Sequence, residues 1–396
     1  MGQRNTLWTK NFIVIFTINF ILALVFFLLV STIAVFSVET FHTSTSTAGL
    51  LSGIFVIGAL IGRLGAGRII HRVGSQKVLL TGLIGFLLTT GFYMLPTDLS
   101  FFFINRFLHG VSFGFASTAT GTIIAQIIPP SRRGEGIGYY SLSTILSTAL
   151  GPLLGIWIIS QTQNFFFVFV INFVLASVIF VLYFLVQAPA MERTPKQDKF
   201  SITQYVELKA VPIGVVGMFL GFIYSSIMAF IPFFTKEIDL VEAGSFFFLV
   251  YASVVLLSRP ITGRLMDQHG ANIIIYPCLV LFALGMLLYS QAHYGFMIVL
   301  AAILVGFGYG SFNSIAQAIA IKVTPIHRVG LATSTYFILF ELGLGLGPFT
   351  YGFLIPHIGY RGIYLTAFFM ILLSILLYYI LHGRHERQLI LLDSKN

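Results

Sequence analysis

Charged residues are scarce in this sequence. Asp, Glu, Lys and Arg supply 9% of the 396 residues, whereas hydrophobic residues supply 57% and the mean hydropathy is +0.95. A water-soluble protein needs a much larger charged fraction to cover its surface. The composition therefore excludes a soluble globular protein. It predicts a membrane protein, in which a lipid-facing surface accommodates the 42 phenylalanines.

Cysteine is nearly absent as well. Cys278 stands alone, which excludes an intramolecular disulfide framework, and no Cys/His spacing indicates a metal site. The sequence has no Gly-x4-Gly-Lys-Ser/Thr loop, so it does not itself hydrolyse ATP by that route. The glycine-rich stretch GFGYGSF (306–312) lies inside an apolar run and follows no strand, which argues against nucleotide binding. We therefore expect neither a metal nor a cofactor, and a protein that is not an enzyme.

Long apolar runs are abundant instead. A membrane-spanning helix takes about 20 apolar residues, and twelve runs reach roughly that length. Their approximate limits are 11–37, 46–69, 77–95, 99–126, 136–160, 163–187, 208–234, 243–265, 271–290, 294–322, 330–354 and 360–381. We predict an all-α membrane protein of twelve transmembrane helices. Its expected parts are an N-terminal six-helix bundle (1–187), a cytoplasmic linker (188–207), a C-terminal six-helix bundle (208–381) and a cytoplasmic tail (382–396).

The positive charges predict the orientation of these spans. With the N-terminus inside, 19 of the 22 Lys and Arg residues lie in cytoplasmic segments, only Lys236 and Arg361 lie outside, and Arg106 lies within the fourth span. Such a bias is the usual topology signal of membrane proteins. We therefore expect both termini in the cytoplasm, and we attribute the net charge of +9 mainly to topology and not to nucleic-acid binding.

The two halves of the chain repeat each other. A shift of 196 residues aligns Arg63, Gly67, Arg68 and Gly74 with Arg259, Gly263, Arg264 and Gly270. The same shift aligns Gly110 and Gly114 with Gly306 and Gly310, Pro129 and Arg132 with Pro325 and Arg328, and Gly151-Pro152 with Gly347-Pro348. Because six spans return the chain to the same side of the membrane, the halves are expected to be parallel repeats.

Four motifs resemble those of the major facilitator family of secondary transporters. GRIIHRVGSQK (67–77) resembles the loop signature between spans two and three, and GRLMDQHG (263–270) is the corresponding motif in the second half. RFLHGVSFG (106–114) resembles the family's Arg-x-x-x-Gly signature, and ALGPLLG (149–155) resembles the Gly-Pro signature of its antiporters. The resemblance covers nearly the whole chain and looks most like bacterial twelve-span drug:proton antiporters. It implies the major facilitator fold, with two six-helix bundles that move around a midplane site.

The loop motifs imply a gate. The residues carried over are Gly67, Arg68, His71, Arg72 and Gly74 in the first half and Gly263, Arg264, Asp267 and Gly270 in the second. In the family, the loop aspartate caps the positive end of a helix in the opposite half. Asp267 keeps that charge, but His71 cannot supply a fixed one, so we expect asymmetric gating. The alternative is that both loops merely end a helix and bind lipid headgroups.

The Gly-Pro motifs are expected to permit close helix packing and a bend, because Gly lets backbones approach and Pro removes a helical hydrogen bond. Their residues are Gly151, Pro152, Gly155, Gly347 and Pro348. The family associates this motif with export, but packing alone is neutral about direction. Three phenylalanine runs, 101–103, 165–167 and 246–248, are expected to face lipid or the membrane interface.

Two charged residues lie well inside the predicted bilayer, Arg106 and Glu341. A charge there costs roughly 2.5 to 3.5 kcal/mol on insertion scales, so each is expected to face the interior of the protein or water. Glu341 lies near the midplane and is the candidate proton site; it could instead pair with a cationic substrate or be a hydrogen-bonded structural residue near Tyr336. Arg106 could anchor an anionic substrate, pair with Glu341 or satisfy backbone carbonyls. His109, one turn after Arg106, is a candidate proton-binding or simply buried residue.

The sequence thus predicts a proton-coupled exporter (an antiporter) of small amphipathic or hydrophobic compounds, in a bacterial cytoplasmic membrane. Its expected partners are a small-molecule substrate, protons and membrane lipids, with no nucleic acid, and the chain is expected to be a monomer. One alternative is proton-coupled uptake of a nutrient or metabolite. A second is a non-transporting membrane sensor, which would have no need to keep both gate motifs.

Overall fold

The computed structural model describes residues 6–95, 98–129, 132–188, 206–324 and 328–384, and all regular structure within them is helical. The first half contains α1 (Lys10–Phe41), α2 (Thr45–Val73), α3 (Ser75–Phe92), α4 (Leu99–Ile127), α5 (Arg133–Thr162) and α6 (Phe165–Tyr183). The second half contains α7 (Val211–Glu237), α8 (Val241–His269), α9 (Asn272–Ser290), α10 (Gly295–Val305), α11 (Ser311–Lys322) and α12 (Val329–Tyr378). Two π-helical segments, Gly306–Gly310 and Tyr379–Gly383, follow α10 and α12.

Polar residues placed just before apolar runs fix where several helices begin. The side chain of Asp98 accepts a hydrogen bond from the backbone N–H of Phe101 at the start of α4. Thr9 does the same for α1 and Asn164 for α6. Each cap satisfies one of the amide groups that the first turn of a helix leaves unpaired. The helix starts are therefore encoded locally, next to the hydrophobic runs that set the helix lengths.

The described helices account for twelve membrane spans. Ten segments are long and apolar enough to cross a bilayer, and one of them, Gly295–Lys322, is built from α10, the π segment and α11. The last segment, Leu331–Gly383, has 53 residues, enough for two spans of about 20 residues. It is divided at Gly359, whose φ of 69° is not helical. The remaining span is α4, which carries the polar residues described below.

The chain forms two compact units. The first comprises residues 1–43 and 54–197, and the second comprises residues 44–53 and 198–396. Within the first, α1 packs on α5 while α3 packs on α4 and α6. Within the second, α7 packs on α12 while α9 packs on α10 and α12. Each unit thus pairs its helices in the way that the 196-residue repeat predicts. Most of the predicted linker (189–205) and tail (385–396) lie outside the described residues.

An ion pair in the second unit ties the segment before α7 to the start of α12. Arg328 Nε donates to Glu207 Oε2 at 2.5 Å, and the Glu207 amide donates to Thr335 Oγ1 at 2.9 Å. The Lys209 amide also donates to Glu207 Oε1 at 3.2 Å. The hydrogen bond from Arg328, ahead of that from Lys209, holds the pKa of the Glu207 carboxyl below its usual value of 4.5.

This pair predicts a pH-dependent contribution to stability. A carboxyl whose pKa is lowered by folding stabilises the folded state fully above its usual pKa and loses that effect as the pH falls through the folded value. We expect Glu207→Gln to lower the thermal unfolding midpoint of the purified protein by a few degrees at pH 7. The difference from wild type should shrink below pH 4.5. Glu242→Gln, at an exposed position in α8, is the control; equal effects of the two changes would contradict the prediction.

Candidate functional site

The buried face of α4 carries the first unit's intramembrane charge. Arg106 and His109, one helical turn apart, are completely buried. The opposite face is apolar and open, with Ile104 exposed by 59% and Leu108 by 45%. Residues three and four apart on a helix share a face, so the sequence Arg106-x-x-His109-Gly110 places two polar side chains and a glycine toward the same neighbours. The prediction that Arg106 faces the protein interior is confirmed by this burial.

Gly110 sets how closely α4 approaches α2. A Cβ atom at Gly110 would overlap the carbonyl oxygen of Phe55 and lie 2.8 Å from its carbonyl carbon. Four residues later, a Cβ atom at Gly114 would overlap the carbonyl oxygen of Ala59. Small residues at this spacing let two membrane helices touch backbone to backbone. The glycine of the Arg-x-x-x-Gly motif is therefore needed for the crossing that brings Phe55 against Arg106.

Arg106 lies in an apolar enclosure. Its Cζ atom is 4.5 Å from the centre of the Phe55 ring, a cation–π contact. The Tyr93 hydroxyl interacts with the guanidinium electrostatically and as a hydrogen-bonding neighbour in distorted geometry. Nevertheless, the buried Nε, Nη1 and Nη2 atoms meet no hydrogen-bond acceptor in suitable geometry among the described residues. A guanidinium group has five N–H donors and no acceptor, so the fold encloses a cationic side chain whose donors lack well-formed hydrogen bonds.

His109, in contrast, has a partner at each ring nitrogen. Nδ1 lies 3.2 Å from the Tyr93 hydroxyl and Nε2 lies 3.4 Å from Thr90 Oγ1. Thr90 donates its own proton to the Phe86 carbonyl at 2.6 Å, so its oxygen accepts from Nε2–H and Nδ1 accepts from Tyr93. This assignment gives a neutral, satisfied imidazole. The geometry therefore supports a structural role for His109, holding Tyr93 beside Arg106.

Glu341 lies in the second unit on α12, thirteen residues into the helix that starts at Val329. It shares a face with Gly345, one turn further on, whose carbonyl oxygen would be overlapped by a Cβ atom at Gly53 in the packed segment 44–53. The Thr45 hydroxyl continues this contact by donating to the Gly352 carbonyl at 2.9 Å. Glu341 Oε2 is buried. The carboxyl group therefore points to the packed side of α12 and away from the lipid-facing side.

Several tyrosines are buried in the interior of the second unit. Tyr224 and Tyr309 stack with ring centres 4.0 Å apart, and Tyr336 donates its hydroxyl to Asn313 Oδ1 at 2.6 Å. Tyr309 belongs to the π-helical segment Gly306–Gly310. Such π segments are frequent at functional sites. The second unit thus contains buried aromatic surfaces, and Tyr336 contributes to them from the same helix as Glu341.

Sequence reasoning named Tyr336 but missed Tyr224 and Tyr309, although the repeat carried a signal for the aromatic cluster. At the offset of 196 residues, Phe55 corresponds to Tyr251 and Phe113 corresponds to Tyr309. Phe55 and Phe113 form an aromatic pair with ring centres 5.4 Å apart in the first unit. In the second unit, Tyr251 packs with Tyr224 at 5.6 Å. Extending the repeat from glycines to aromatic residues would have located both clusters.

The loop motifs lie at the ends of α2 and α8. Each ends at a glycine in an unusual conformation: Gly74 has φ 90° and ψ 151°, and Gly270 has φ 84° and ψ 175°. The other motif residues lie in the helices, and Arg68, Arg72 and Arg264 are exposed. A Cβ atom at Gly67 or Gly263 would meet nothing within 4 Å. The side chains of His71 and Asp267 lie outside what the structure describes, so asymmetric gating stays a prediction.

The Gly-Pro motifs lie where helices pack within each unit. A Cβ atom at Gly151 would be 2.7 Å from Phe27 Cβ, and one at Gly155 would be 2.7 Å from Thr32 Cγ2, both on α1. A Cβ atom at Gly347 would collide with Ser225 on α7. Pro152 and Pro348 lie inside α5 and α12. These contacts are those expected of helix-packing residues, and they are neutral about the direction of transport.

Comparisons with known proteins agree with this architecture. A family model described as Major Facilitator Superfamily matches residues 15–276 and 237–392. The staphylopine export protein of Staphylococcus aureus is 24% identical over 382 residues, which cover 90% of this chain and 94% of that protein. The multi-drug resistance efflux pump PmrA of Streptococcus pneumoniae is 22% identical over 326 residues, which cover 80% of this chain and 81% of that protein.

Solved structures share the fold. A POT family transporter in complex with a thioalcohol-conjugated peptide aligns with a TM-score of 0.77 and 14% identity, covering 95% of this chain and 96% of that one. A bacterial homologue of the human lysosomal transporter Spinster, inward-facing and unoccupied, aligns with a TM-score of 0.76 and 15% identity, covering 96% and 98%. The prediction of an all-α, twelve-helix membrane fold is confirmed.

Proposed function

Because this chain belongs to the Major Facilitator Superfamily and is a multi-pass membrane transporter of small molecules, we propose that it is a proton-coupled exporter of small amphipathic or hydrophobic compounds. It works by alternating access, exchanging protons for substrate. Two relatives that align over most of their length are named for export, one for staphylopine and one as a multi-drug efflux pump. Their names support export as the direction for this chain.

The observation that carries proton coupling is the position of Glu341. Its carboxyl group lies on the packed side of α12 and its Oε2 atom is buried. An ionised carboxylate in a dry environment is costly, whereas contact with water or a cation favours the charged form. A carboxyl group that passes between two such environments during a transport cycle takes up a proton in one and releases it in the other. Glu341 therefore has the chemistry that proton exchange needs.

The proposal also includes the topology. Both termini and the linker 188–207 are placed in the cytoplasm because of the Lys and Arg bias of the loops. Residues 1–187 and 208–381 act as the two moving bundles of a monomer, and the motifs at the ends of α2 and α8 act as the cytoplasmic gate.

We predict that Glu341→Gln abolishes proton-driven export. Inside-out membrane vesicles containing the wild-type protein, with an acid interior, should accumulate ethidium or dansylglycine as protons leave. Glu341→Gln should reduce accumulation to that of vesicles without the protein, because glutamine cannot carry a proton between the two sides. Glu242→Gln, an exposed glutamate in the first turn of α8, should transport normally and is the matched control.

Other outcomes of the same experiment have definite meanings. If an acid interior drives no accumulation but preloaded compound leaves the vesicles together with protons, the protein is an importer. If no compound moves protons at all, the sensor alternative gains support. Full transport by Glu341→Gln would remove Glu341 from the coupling path even if export itself holds.

A further inference from the structure

The fold gives Arg361, beside the last span, two well-placed carbonyl acceptors, but it gives the membrane-buried Arg106 no hydrogen bond of standard geometry among the described residues. Arg361 in the second unit donates from Nη1 to the Ser290 carbonyl at 2.9 Å and from Nη2 to the Ala292 carbonyl at 2.7 Å. Arg106 is completely buried, yet none of its three nitrogens meets an acceptor in hydrogen-bond geometry among the described residues. Arg361 therefore shows how a purely structural arginine is accommodated in this protein, and Arg106 does not follow that pattern.

Among the residues of the first unit that the structure describes, no carboxylate is hydrogen-bonded to Arg106. Its acidic residues in or beside the helices stand at helix ends: Glu39 near the end of α1, Asp98 as the cap of α4, and Glu135 in the first turn of α5. Asp98 is exposed and lies eight residues, roughly 12 Å along the helix axis, from Arg106. The helices α1 to α6 therefore enclose a buried cation, while the sequence places their acidic residues at helix ends.

The surroundings of Arg106 favour an amphipathic ligand. The Phe55 ring covers the guanidinium with its centre 4.5 Å from Cζ. The Thr90 bond to the Phe86 carbonyl makes Tyr93 the donor to His109 Nδ1, so Tyr93 turns an oxygen toward Arg106 and has no proton for an approaching anion. A guanidinium fork matches the two oxygens of a carboxylate. Apolar contact and a planar charged fork together fit a molecule that joins an aromatic or aliphatic body to one carboxylate.

We propose that Arg106 is the site at which this transporter recognises the carboxylate of its amphipathic substrate, with Phe55 contacting the apolar part next to that group. The inference rests on the proposed transport function and narrows it, since it favours amphipathic carboxylates over lipophilic cations. Because the guanidinium is enclosed in the structure, binding occurs in states that expose it, and an equilibrium measurement samples those states.

A pair of fluorescent probes tests the carboxylate. Dansylglycine carries a carboxylate, and dansylglycinamide has the same body without the charge. Titration of the full-length protein in lipid nanodiscs, corrected with empty nanodiscs, should show about tenfold tighter binding of dansylglycine, the size expected of hydrogen bonds to charged groups. Equal affinities for the two probes in the wild-type protein would overturn the proposal, whatever the behaviour of any variant.

Variants then assign the preference to Arg106. Arg106→Gln should bind the two probes equally, and Arg106→Lys should keep only part of the preference because lysine lacks the planar fork. Arg361→Gln is the matched control: it loses stability through its carbonyl bonds and keeps the preference. A preference for dansylglycine that survives in folded, monodisperse Arg106→Gln would overturn the proposal. If the glutamine variant does not fold, Arg106→Lys takes its place, and a full preference in that variant would overturn the proposal.

A Glu341→Gln variant tests whether a carboxyl group of the protein competes with the carboxylate of the ligand. If Glu341→Gln binds dansylglycine as tightly as the wild type, or more tightly, the site accepts the carboxylate of a ligand. If Glu341→Gln prefers dansylglycine to dansylglycinamide and the wild-type protein does not, the Glu341 carboxyl group competes with the ligand in the native protein and the proposal fails. This assay uses no proton gradient, so it can succeed when proton-driven export fails, and the two proposals are tested separately.

Discussion

Gly110→Ala is expected to prevent stable folding of the first unit. The added methyl group would overlap the carbonyl oxygen of Phe55 and lie 3.0 Å from the Ala59 amide nitrogen. Both are backbone atoms, so they can yield only if α2 and α4 move apart. Overpacking typically costs about 1 to 3 kcal/mol and sometimes more, and here the separation would also break the contact between Phe55 and Arg106. We expect a cost at or above the upper end of that range.

The control lies on the same helix. A Cβ atom at Gly121 would meet nothing within 4 Å, so Gly121→Ala keeps the packing and gains the helix propensity of alanine, up to about 1 kcal/mol. Thermal unfolding in detergent, read together with the yield of monodisperse protein, should show Gly110→Ala far below wild type and Gly121→Ala at or above it. Similar midpoints for the two variants would mean that the α2–α4 crossing adapts easily.

The fold could be predicted from the sequence because the membrane imposes a simple physical rule. Backbone polar groups in a bilayer must be satisfied internally, so a run of about 20 apolar residues is almost always a helix. The helices follow the predicted runs closely. The eleventh and twelfth runs, 330–354 and 360–381, are separated by one non-helical residue, Gly359. A single residue with positive φ was enough to produce the break that the hydropathy pattern predicted.

Side-chain environments were harder to predict, since hydrophobicity does not distinguish lipid from protein. The expectation that the phenylalanine runs face lipid or the interface is only partly right. Phe166 and Phe167 are about half exposed, with 50% and 48%. Phe102, Phe247 and Phe248 are buried, with at most 2% exposed. The side chains of three consecutive residues on a helix point in directions that span about 200°, so a run of three Phe residues readily places one of them toward the protein interior.

The candidate site shows the same limit. The sequence identified Arg106 and His109 as interior residues because charge and polarity are rare in the membrane. It could not distinguish their roles, because that depends on hydrogen-bond partners from other helices. Thr90 and Tyr93 of the α3 region satisfy His109, whereas no described residue gives the Arg106 nitrogens a hydrogen bond of standard geometry. Partners that are distant in sequence decide which buried polar residue is structural and which is available to a ligand.

The glycines that end the two loop motifs are expected to be irreplaceable, and equally so in both halves. Gly74 and Gly270 combine a φ of 84–90° with a ψ of 151–175°, a region open essentially to glycine alone. Alanine should cost about 1 to 3 kcal/mol at either position. Asparagine should be no better, because the left-handed conformation that it tolerates has a much smaller ψ.

The same motifs contain their own controls, since Gly67 and Gly263 are helical and have open space where a Cβ atom would lie. Alanine there should leave the thermal unfolding midpoint unchanged or slightly raised. A drop at Gly74 and Gly270 with none at Gly67 and Gly263 would show that the terminal glycines are kept for backbone geometry, so that the inner ones are free to serve transport. If Gly67→Ala and Gly263→Ala destabilise as strongly, all four glycines are structural. The loops would then merely end their helices, and no part of the gate would rest on the glycines.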